Sequence, residues 1–208
     1  MSNTSKHVTY GSCSISKSSI SGCRFSIYPM CDDFVDVILN AVKQVDSTKF
    51  FSSTDALSTV YRGKRNQVLD GLKSCLIYSY KEDVHMVVES TLSCGCPGDS
   101  DADVYLSKDD VLQNEEKIKD INFDCIAKMS LYPMGVNDYM RHIANVVNMS
   151  IDEGLYDGSG HYATNLKGNV HEIFKYLNMA SNYCEANLGH YIIQITISVN
   201  SPSLKEKK

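Results

Sequence analysis

Hydrogen-bonding side chains recur in this sequence at a fixed interval. Thr59 is matched by Thr164, and His85 is matched by His190. Both types of side chain can form hydrogen bonds, but His85 and His190 each begin a predicted strand, where a hydrogen-bonding or surface role is more common than catalysis. Because both pairs recur in one register, we expect two equivalent sites in the chain.

Catalytic motifs do not accompany these residues. The sequence has no G-x-S-x-G nucleophile motif, no phosphate-binding glycine loop and no H-E-x-x-H motif. His161 has Ala56 as its counterpart, so it belongs to no repeated pair. We therefore expect a binding protein without catalytic residues. An enzyme that uses a histidine such as His161 remains another hypothesis.

Two short stretches resemble parts of metal-binding motifs. Cys94 and Cys96 are separated by one residue rather than two, and no second Cys or His pair lies at ligand spacing. The loop at 98–103 is rich in Asp, but Val104 stands where a calcium loop needs glycine. We predict no metal site and no disulfide framework.

A longer duplication positions the repeated residues. The segment SIYPM at 26–30 returns as SLYPM at 130–134. After one extra residue in the second copy, the match continues to Pro97 in the first copy and Pro202 in the second. Chance composition would rarely match residues over so long a span, so the chain contains two copies of one unit.

Each copy shows the same order of predicted elements. In the first copy these are a strand at 23–28, a helix after Asp33, strands at 49–53 and 56–62, a helix through Leu72 and a strand at 85–94. The second copy has strands at 124–132 and 190–199, with two helices and a hairpin that reaches Lys167 between them. This βαββαβ order predicts an α+β fold, a tandem repeat of two ferredoxin-like domains with antiparallel sheets.

Composition defines the expected domains and excludes some partners. We expect a disordered leader at 1–21, repeats at 22–97 and 123–202, a linker with a short helix at 98–122, and a charged tail at 203–208. The net charge of −5 argues against nucleic acid as a partner. The sequence has no apolar stretch of the roughly 18 residues that a transmembrane helix needs, so we expect no stable membrane insertion and a cytoplasmic location.

The last strand of each copy predicts a polar face on the sheet. In the second copy, alternate residues from Tyr191 to Val199 are apolar and can face the helices, while Gln194 and Thr196 lie on the other side. A polar face can simply be solvated. Alternatively, two sheets that pair face to face or edge to edge would form semipolar crevices suited to a small polar heterocycle.

Several segments together point to a known family. They are GCRFSIYPM at 22–30, DDF at 32–34, TD at 54–55, STVYRG at 58–63, GCPGD at 95–99, YLSK at 105–108 and NSPS at 200–203. In these segments the chain resembles the YkoF-type family that binds thiamin and hydroxymethylpyrimidine. The resemblance covers nearly everything after residue 21.

The resemblance implies a function and partners. It implies a non-catalytic protein that binds thiamin or its hydroxymethylpyrimidine precursor, with one site per repeat and no other cofactor. It further implies a homodimer with a role in vitamin B1 salvage or transport, and contact with a transporter. A ferredoxin-like regulatory module that binds an amino acid or another effector remains the alternative.

The resemblance also implies which residues contact the ligand. It assigns backbone hydrogen bonds to Ile27 and Leu131 and hydroxyl contacts to Thr59 and Thr164. A strand backbone and a hydroxyl can match the edge of an aminopyrimidine. Without the resemblance, the aliphatic pair could be core residues and the Thr pair could be strand residues, because β-branched side chains favour strands.

Two tyrosines are additional candidates. Tyr28 and Tyr132 could form a wall for the ring or stack on a thiazolium cation, although Tyr before Pro is often a packing residue. Arg62 and Lys167 follow the threonines by three residues, so they should point to the opposite side of the strand. With few cations near the site, we expect unphosphorylated ligands to be favoured.

Overall fold

The computed structural model describes residues 20–94 and 100–204, including every side chain there except those of residues 100 and 101. The strands are β1 (Ser21–Pro29), β2 (Phe50–Thr54), β3 (Thr59–Gly63), β4 (Met86–Cys94), β5 (Asp124–Met134), β6 (Tyr156–Gly160), β7 (Ala163–Asn169) and β8 (His190–Val199). The helices are α1 (Phe34–Gln44), α2 (Arg65–Ser79), α3 (Glu115–Ile118), α4 (Tyr139–Asp152) and α5 (Val170–Asn187), with 3-10 helices at Ser100–Ser107 and Pro202–Leu204.

All eight strands form one antiparallel sheet. Their order is β2-β3-β1-β4-β8-β5-β7-β6, so each half of the sheet is one βαββαβ repeat. The predicted α+β class and the tandem ferredoxin-like repeats are therefore confirmed. The two halves join edge to edge, because β4 pairs with β8 from Met86↔Val199 to Cys94↔Tyr191.

The core lies between the sheet and the helices. In β8 the residues Tyr191, Ile193, Ile195, Ile197 and Val199 are buried, while the residues between them are partly exposed. This alternation confirms the predicted helix-facing set. We call the opposite side of the sheet, which carries Gln194 and Thr196, the open face.

The β2–β3 hairpin differs from its prediction. The second strand was expected to begin at Ala56, but β3 begins at Thr59. The intervening residues form a turn, in which the Asp55 carboxylate accepts hydrogen bonds from the N–H groups of Leu57 (2.8 Å) and Ser58 (2.9 Å). Asp side chains commonly close turns in this way.

The linker between the repeats is bound to α2 and its neighbours. Asp70 of α2 accepts hydrogen bonds from the backbone and side-chain N–H groups of Asn114, and Lys73 pairs with Glu115. These contacts help to explain why α2 is buried on almost all sides.

Some predicted segments fall largely outside the described residues. Of the expected leader, Ile20 is described and buried, and Ser21 begins β1. The Cys96 half of the spaced cysteine pair and most of the expected tail lie outside the described ranges. The predicted domain boundaries stay predictions.

Candidate ligand-binding site

A cavity of about 360 Å³ lies beside the β2–β3 hairpin of the first repeat. We call it the hairpin cavity. The end of β1, the first turns of α1 and the hairpin tip surround it. Its apolar walls are Phe25, Ile27, Met30, Phe34, Ile38 and Val42, and its other lining residues include Tyr28, Thr54, Asp55 and Thr59. The predicted residues Ile27, Tyr28 and Thr59 therefore come together here.

The backbone of Ile27 is directed towards this cavity. Met30 donates its N–H to the carbonyl of His85 at 2.9 Å. Alternate residues of an antiparallel strand bond to opposite neighbours, so the even-numbered residues of β1 bond towards β4 and Ile27 points its N–H and C=O towards β3. Pairing with β3 ends at Phe25↔Thr59, before it reaches Ile27. A ligand beside the hairpin would meet both backbone groups.

The hydroxyl of Thr59 lies at the first position of β3. The residue is only 5% exposed, and its Oγ1 is 2.9 Å from Oγ1 of Thr54 on the neighbouring strand. Because either hydroxyl can donate, the pair could donate one further hydrogen bond and accept others. Sequence reasoning missed Thr54, whose counterpart Ser159 also carries a hydroxyl opposite Thr164.

The hairpin tip is held against β1 by a serine. Ser26 Oγ donates to the carbonyl of Leu57 at 2.8 Å, while the Leu57 side chain is 85% exposed. Tyr28 is about half exposed and follows Ser26 on the open side of β1. Ser26 was also missed, although it lies in the duplicated SIYPM segment.

The second repeat reproduces this backbone arrangement. Val170 donates its N–H to the carbonyl of Phe123, so odd-numbered residues of β5 bond towards β7. Pairing of β5 with β7 ends at Met129↔Thr164, so the backbone groups of Leu131 point past the end of β7. Thr164 and Leu131 are both 8% exposed.

The second hairpin tip is held in the same way as the first. Ser130 Oγ donates to the carbonyl of Tyr162 at 2.7 Å, which matches the bond from Ser26 to Leu57. Tyr132 is about half exposed, like Tyr28. All six predicted site residues therefore occupy matching positions in their repeats.

The charges around the hairpin cavity are few. Asp55 lines it, and no Lys or Arg is among the described residues that do so. Arg62 is not part of the wall because it lies on the opposite side of β3 from Thr59, as its spacing predicted. The cavity is thus mainly apolar with hydroxyl and backbone groups at one edge, an arrangement suited to a small, planar, polar ring.

Family comparison agrees with the duplicated architecture. The family model described as "YKOF-related Family" matches residues 20–99 and 124–204. The chain is 38% identical over 191 residues to the "Putative HMP/thiamine-binding protein YkoF" of Bacillus subtilis (strain 168), with 92% of this chain and 96% of that protein covered. The chain belongs to the YkoF-related family. All six candidate residues lie within the two matched regions of this YkoF-related chain.

Several cysteine and histidine side chains of this YkoF-related protein are buried or lie within hydrogen-bonding distance of a neighbour. Burial raises the pKa values of the Cys75, Cys125 and Cys184 thiols to about 12, so these thiols stay protonated at neutral pH. His85 Nε2 lies 3.1 Å from Ser198 Oγ, across the junction of the two repeats. No cluster of three metal-ligating side chains occurs in the described part of the chain. None of the described helices is long and apolar enough to cross a membrane.

Proposed function

We propose that this YkoF-related protein binds thiamin or hydroxymethylpyrimidine without catalysing a reaction, at one site in each repeat. The observation that carries the proposal is the hairpin cavity, where Ile27, Thr59 and Tyr28 meet and whose main features recur in the second repeat. The printed name of the Bacillus subtilis relative supports the same ligand class. The comparisons do not favour the alternative, a regulatory module for amino acids.

The proposed contacts follow from the chemistry of an aminopyrimidine. Its ring nitrogens accept hydrogen bonds and its amino group donates them. Ile27 offers a backbone donor and acceptor at one edge, and Thr59 offers a hydroxyl at the end of β3. Phe25, Phe34 and neighbouring aliphatic side chains can contact the ring faces.

The electrostatics favour unphosphorylated ligands. A diphosphate needs cationic side chains or several N–H donors, whereas Asp55 is the charged residue among the described walls of the hairpin cavity. Thiamin carries a positive thiazolium ring, which the Asp55 carboxylate would attract. The same carboxylate would repel a diphosphate group. We expect thiamin and hydroxymethylpyrimidine to bind more tightly than thiamin diphosphate.

The proposal also includes a homodimer and a role in vitamin B1 salvage or transport in the cytoplasm, where the protein would contact a transporter. The support for a dimer is the open face, on which Tyr132 lies beside Ile192 in register and which no helix of the described residues covers. Light scattering checks this part. A mass equal to that of one chain, 23.2 kDa, would remove the homodimer from the proposal.

Calorimetric titration tests the binding function. The protein is titrated separately with thiamin, hydroxymethylpyrimidine and thiamin diphosphate, and we expect saturable binding of the first two at two sites per chain. The double variant Thr59→Val/Thr164→Val should lose this binding, because valine keeps the shape of threonine but removes the hydroxyl.

The chain offers a matched control for this experiment. Thr91 and Thr196 also occupy equivalent positions in the two repeats, but they lie on the open face. The variant Thr91→Val/Thr196→Val should keep both sites. Failure of the unmodified protein to bind any of the three ligands would refute the proposed function.

A further inference from the structure

A second cavity lies on the helix side of the molecule, where α2 and α5 pack against each other. We call it the inter-repeat cleft. Its volume is about 350 Å³, within the range of roughly 300–1,000 Å³ that is typical of small-molecule sites. It shares no lining residue with the hairpin cavity.

Equivalent positions of the two repeats form the sides of this cleft. Leu69 of α2 corresponds to Phe174 of α5, and Asp70 corresponds to Lys175. The linker adds Leu112, which has no counterpart because the chain has one linker between its repeats. In the described residues the duplication therefore gives two candidate hairpin sites but a single cleft of this composition.

Most charges around the cleft already have partners. Lys73 Nζ bonds to both carboxylate oxygens of Glu115, at 2.9 and 2.8 Å. Lys175 Nζ bonds to Glu153 at 2.7 Å. These ion pairs leave little net charge on the rim.

Asp70 differs from these residues. It is 3% exposed, and one carboxylate oxygen, Oδ2, accepts from the backbone and side-chain N–H groups of Asn114 at 3.1 and 2.8 Å. Its other oxygen, Oδ1, is buried and has no hydrogen bond of good geometry among the described residues, although the backbone N–H of Gln113 lies near enough to the carboxylate to lower its pKa slightly. Burial is the main cause that raises the pKa of this carboxyl group. A buried carboxylate oxygen without a donor is costly, so a donor brought by a ligand would stabilise it.

We propose that the inter-repeat cleft binds a small protonated amine with an apolar body, at one site per chain, with Asp70 as the anionic partner. A protonated amine supplies a positive charge and a well-aligned N–H donor for Asp70 Oδ1. Leu69, Leu112 and Phe174 can contact the apolar body. The binding does not depend on thiamin or on the hairpin cavity.

Titration with 2-phenylethylamine tests the site, and 2-phenylethanol serves as the uncharged analogue. We expect the amine to bind at one site per chain and the alcohol to bind at least about tenfold more weakly. Asp70→Asn, which keeps the shape and removes the charge, should weaken amine binding by a similar factor. Asp36→Asn is the matched control, because Asp36 is exposed in the first turn of α1, outside the cleft, and the change should have no effect.

L-Phenylalanine distinguishes a simple amine from a zwitterion. If it binds as tightly as the amine and both Asp70→Asn and Lys175→Gln weaken it, the site accepts amino acids. If only 2-phenylethylamine binds, the site is specific for simple amines. Either result supports the proposed ammonium site.

Three results would overturn the proposal. They are no saturable binding of the amine, equal binding of amine and alcohol, and unchanged amine binding in Asp70→Asn. Should Asp70→Asn fail to fold, amide chemical shifts of the unmodified protein decide: perturbations near Leu69 and Phe174 support the site, and perturbations confined to the hairpin cavity reject it. Thiamin titration of the same samples reports separately on the proposed function.

Discussion

In the first repeat the ring of Phe50 lies against Gly71, and in the second repeat the corresponding positions hold Leu155 and Tyr176. A Cβ atom on Gly71 would lie 2.5 Å from Cζ of Phe50, so the first repeat has no room for a larger residue there. Tyr176 is fully buried, and its hydroxyl donates to the carbonyl of Val146 at 3.0 Å. The buried aromatic ring thus comes from β2 in the first repeat and from α5 in the second, and this compensation keeps the core densely packed.

The hairpin tips differ in another way. Asp55 and Ala56 of the first tip correspond to Gly160 and His161 in the second. The β6–β7 pairing is irregular between Tyr156 and Ser159, whereas the β2–β3 pairing runs without a shift. The hydroxyl and backbone positions at the two candidate sites are the same. Under the proposed function, we expect the tips to adjust ligand preference and Thr59 and Thr164 to provide the shared contacts.

Tyr176→Gly should have the largest effect, because it gives the second repeat the helix residue of the first without the matching Phe. We expect the free energy of unfolding to fall by about 3–5 kcal/mol, since a buried aromatic ring and its hydrogen bond are lost. Urea denaturation measures this change. Adding Leu155→Phe should restore part of the loss.

An exposed tyrosine provides the control for this prediction. Tyr162 is 95% exposed and has a φ of 67°, a conformation that glycine adopts more easily. Tyr162→Gly should therefore leave the free energy of unfolding unchanged or slightly raised. Equal losses in Tyr162→Gly and Tyr176→Gly would contradict the packing argument.

The single variants Thr59→Val and Thr164→Val test whether the two hairpin sites are independent. Each should weaken one of two thiamin sites per chain in calorimetry and leave the other unchanged. The binding free energy at the altered site should become less favourable by about 1–3 kcal/mol, because a polar group of the ligand loses its partner. If either single variant removes both sites, the repeats are coupled. If neither variant changes the titration, the threonines do not contact the ligand.

Gly71→Ala should have a smaller effect on stability. Overpacking against Phe50 costs about 1–3 kcal/mol, and the better helix propensity of alanine offsets up to about 1 kcal/mol. We expect a net loss of about 1 kcal/mol in urea denaturation. The same substitution in a Phe50→Leu background should become neutral or favourable. Gly189→Ala is the control, because no atom lies within 4 Å of a Cβ at that position.

The sequence allowed the repeats and the helix-facing residues of β8 to be predicted, because periodicity and duplication are local signals. It left open how the two sheets meet, since pairing of β4 with β8 depends on contacts between distant segments. The resemblance directed attention to Ile27 and Thr59. Their proximity to a cavity could not be predicted, because the cavity lies where β1 continues beyond the last residue that pairs with β3.

The missed residues have a similar explanation. Phe34 begins α1 and is about half exposed where it borders the hairpin cavity, and the sequence pattern gives no sign of this position. Thr54 was assigned to a turn because the position of the strand end was wrong. The all-round burial of α2 depends on the linker and α5, neither of which is visible in the pattern of the helix itself.

Asp55→Gly gives the first hairpin tip the residue of the second, and we expect the smallest effect from it. The N–H groups of Leu57 and Ser58 lower the pKa of Asp55 below its ordinary value of 3.8, so the carboxylate is charged at neutral pH. Removing it should weaken thiamin binding in the first repeat within about tenfold, because exposed charges interact weakly. Binding of hydroxymethylpyrimidine, which lacks the thiazolium charge, should change less.

The pH dependence and a second variant separate charge from turn geometry. Because its pKa is lowered, the Asp55 carboxylate stays ionised at every pH above the ordinary pKa of the group. The preference for thiamin over hydroxymethylpyrimidine that Asp55 provides should therefore be constant between about pH 5 and 8. It should disappear only as the pH falls through the lowered pKa. Asp55→Asn retains an oxygen that can accept from Leu57 and Ser58 but has no charge. If Asp55→Asn keeps the full preference for thiamin over hydroxymethylpyrimidine, the turn rather than the charge distinguishes the two tips.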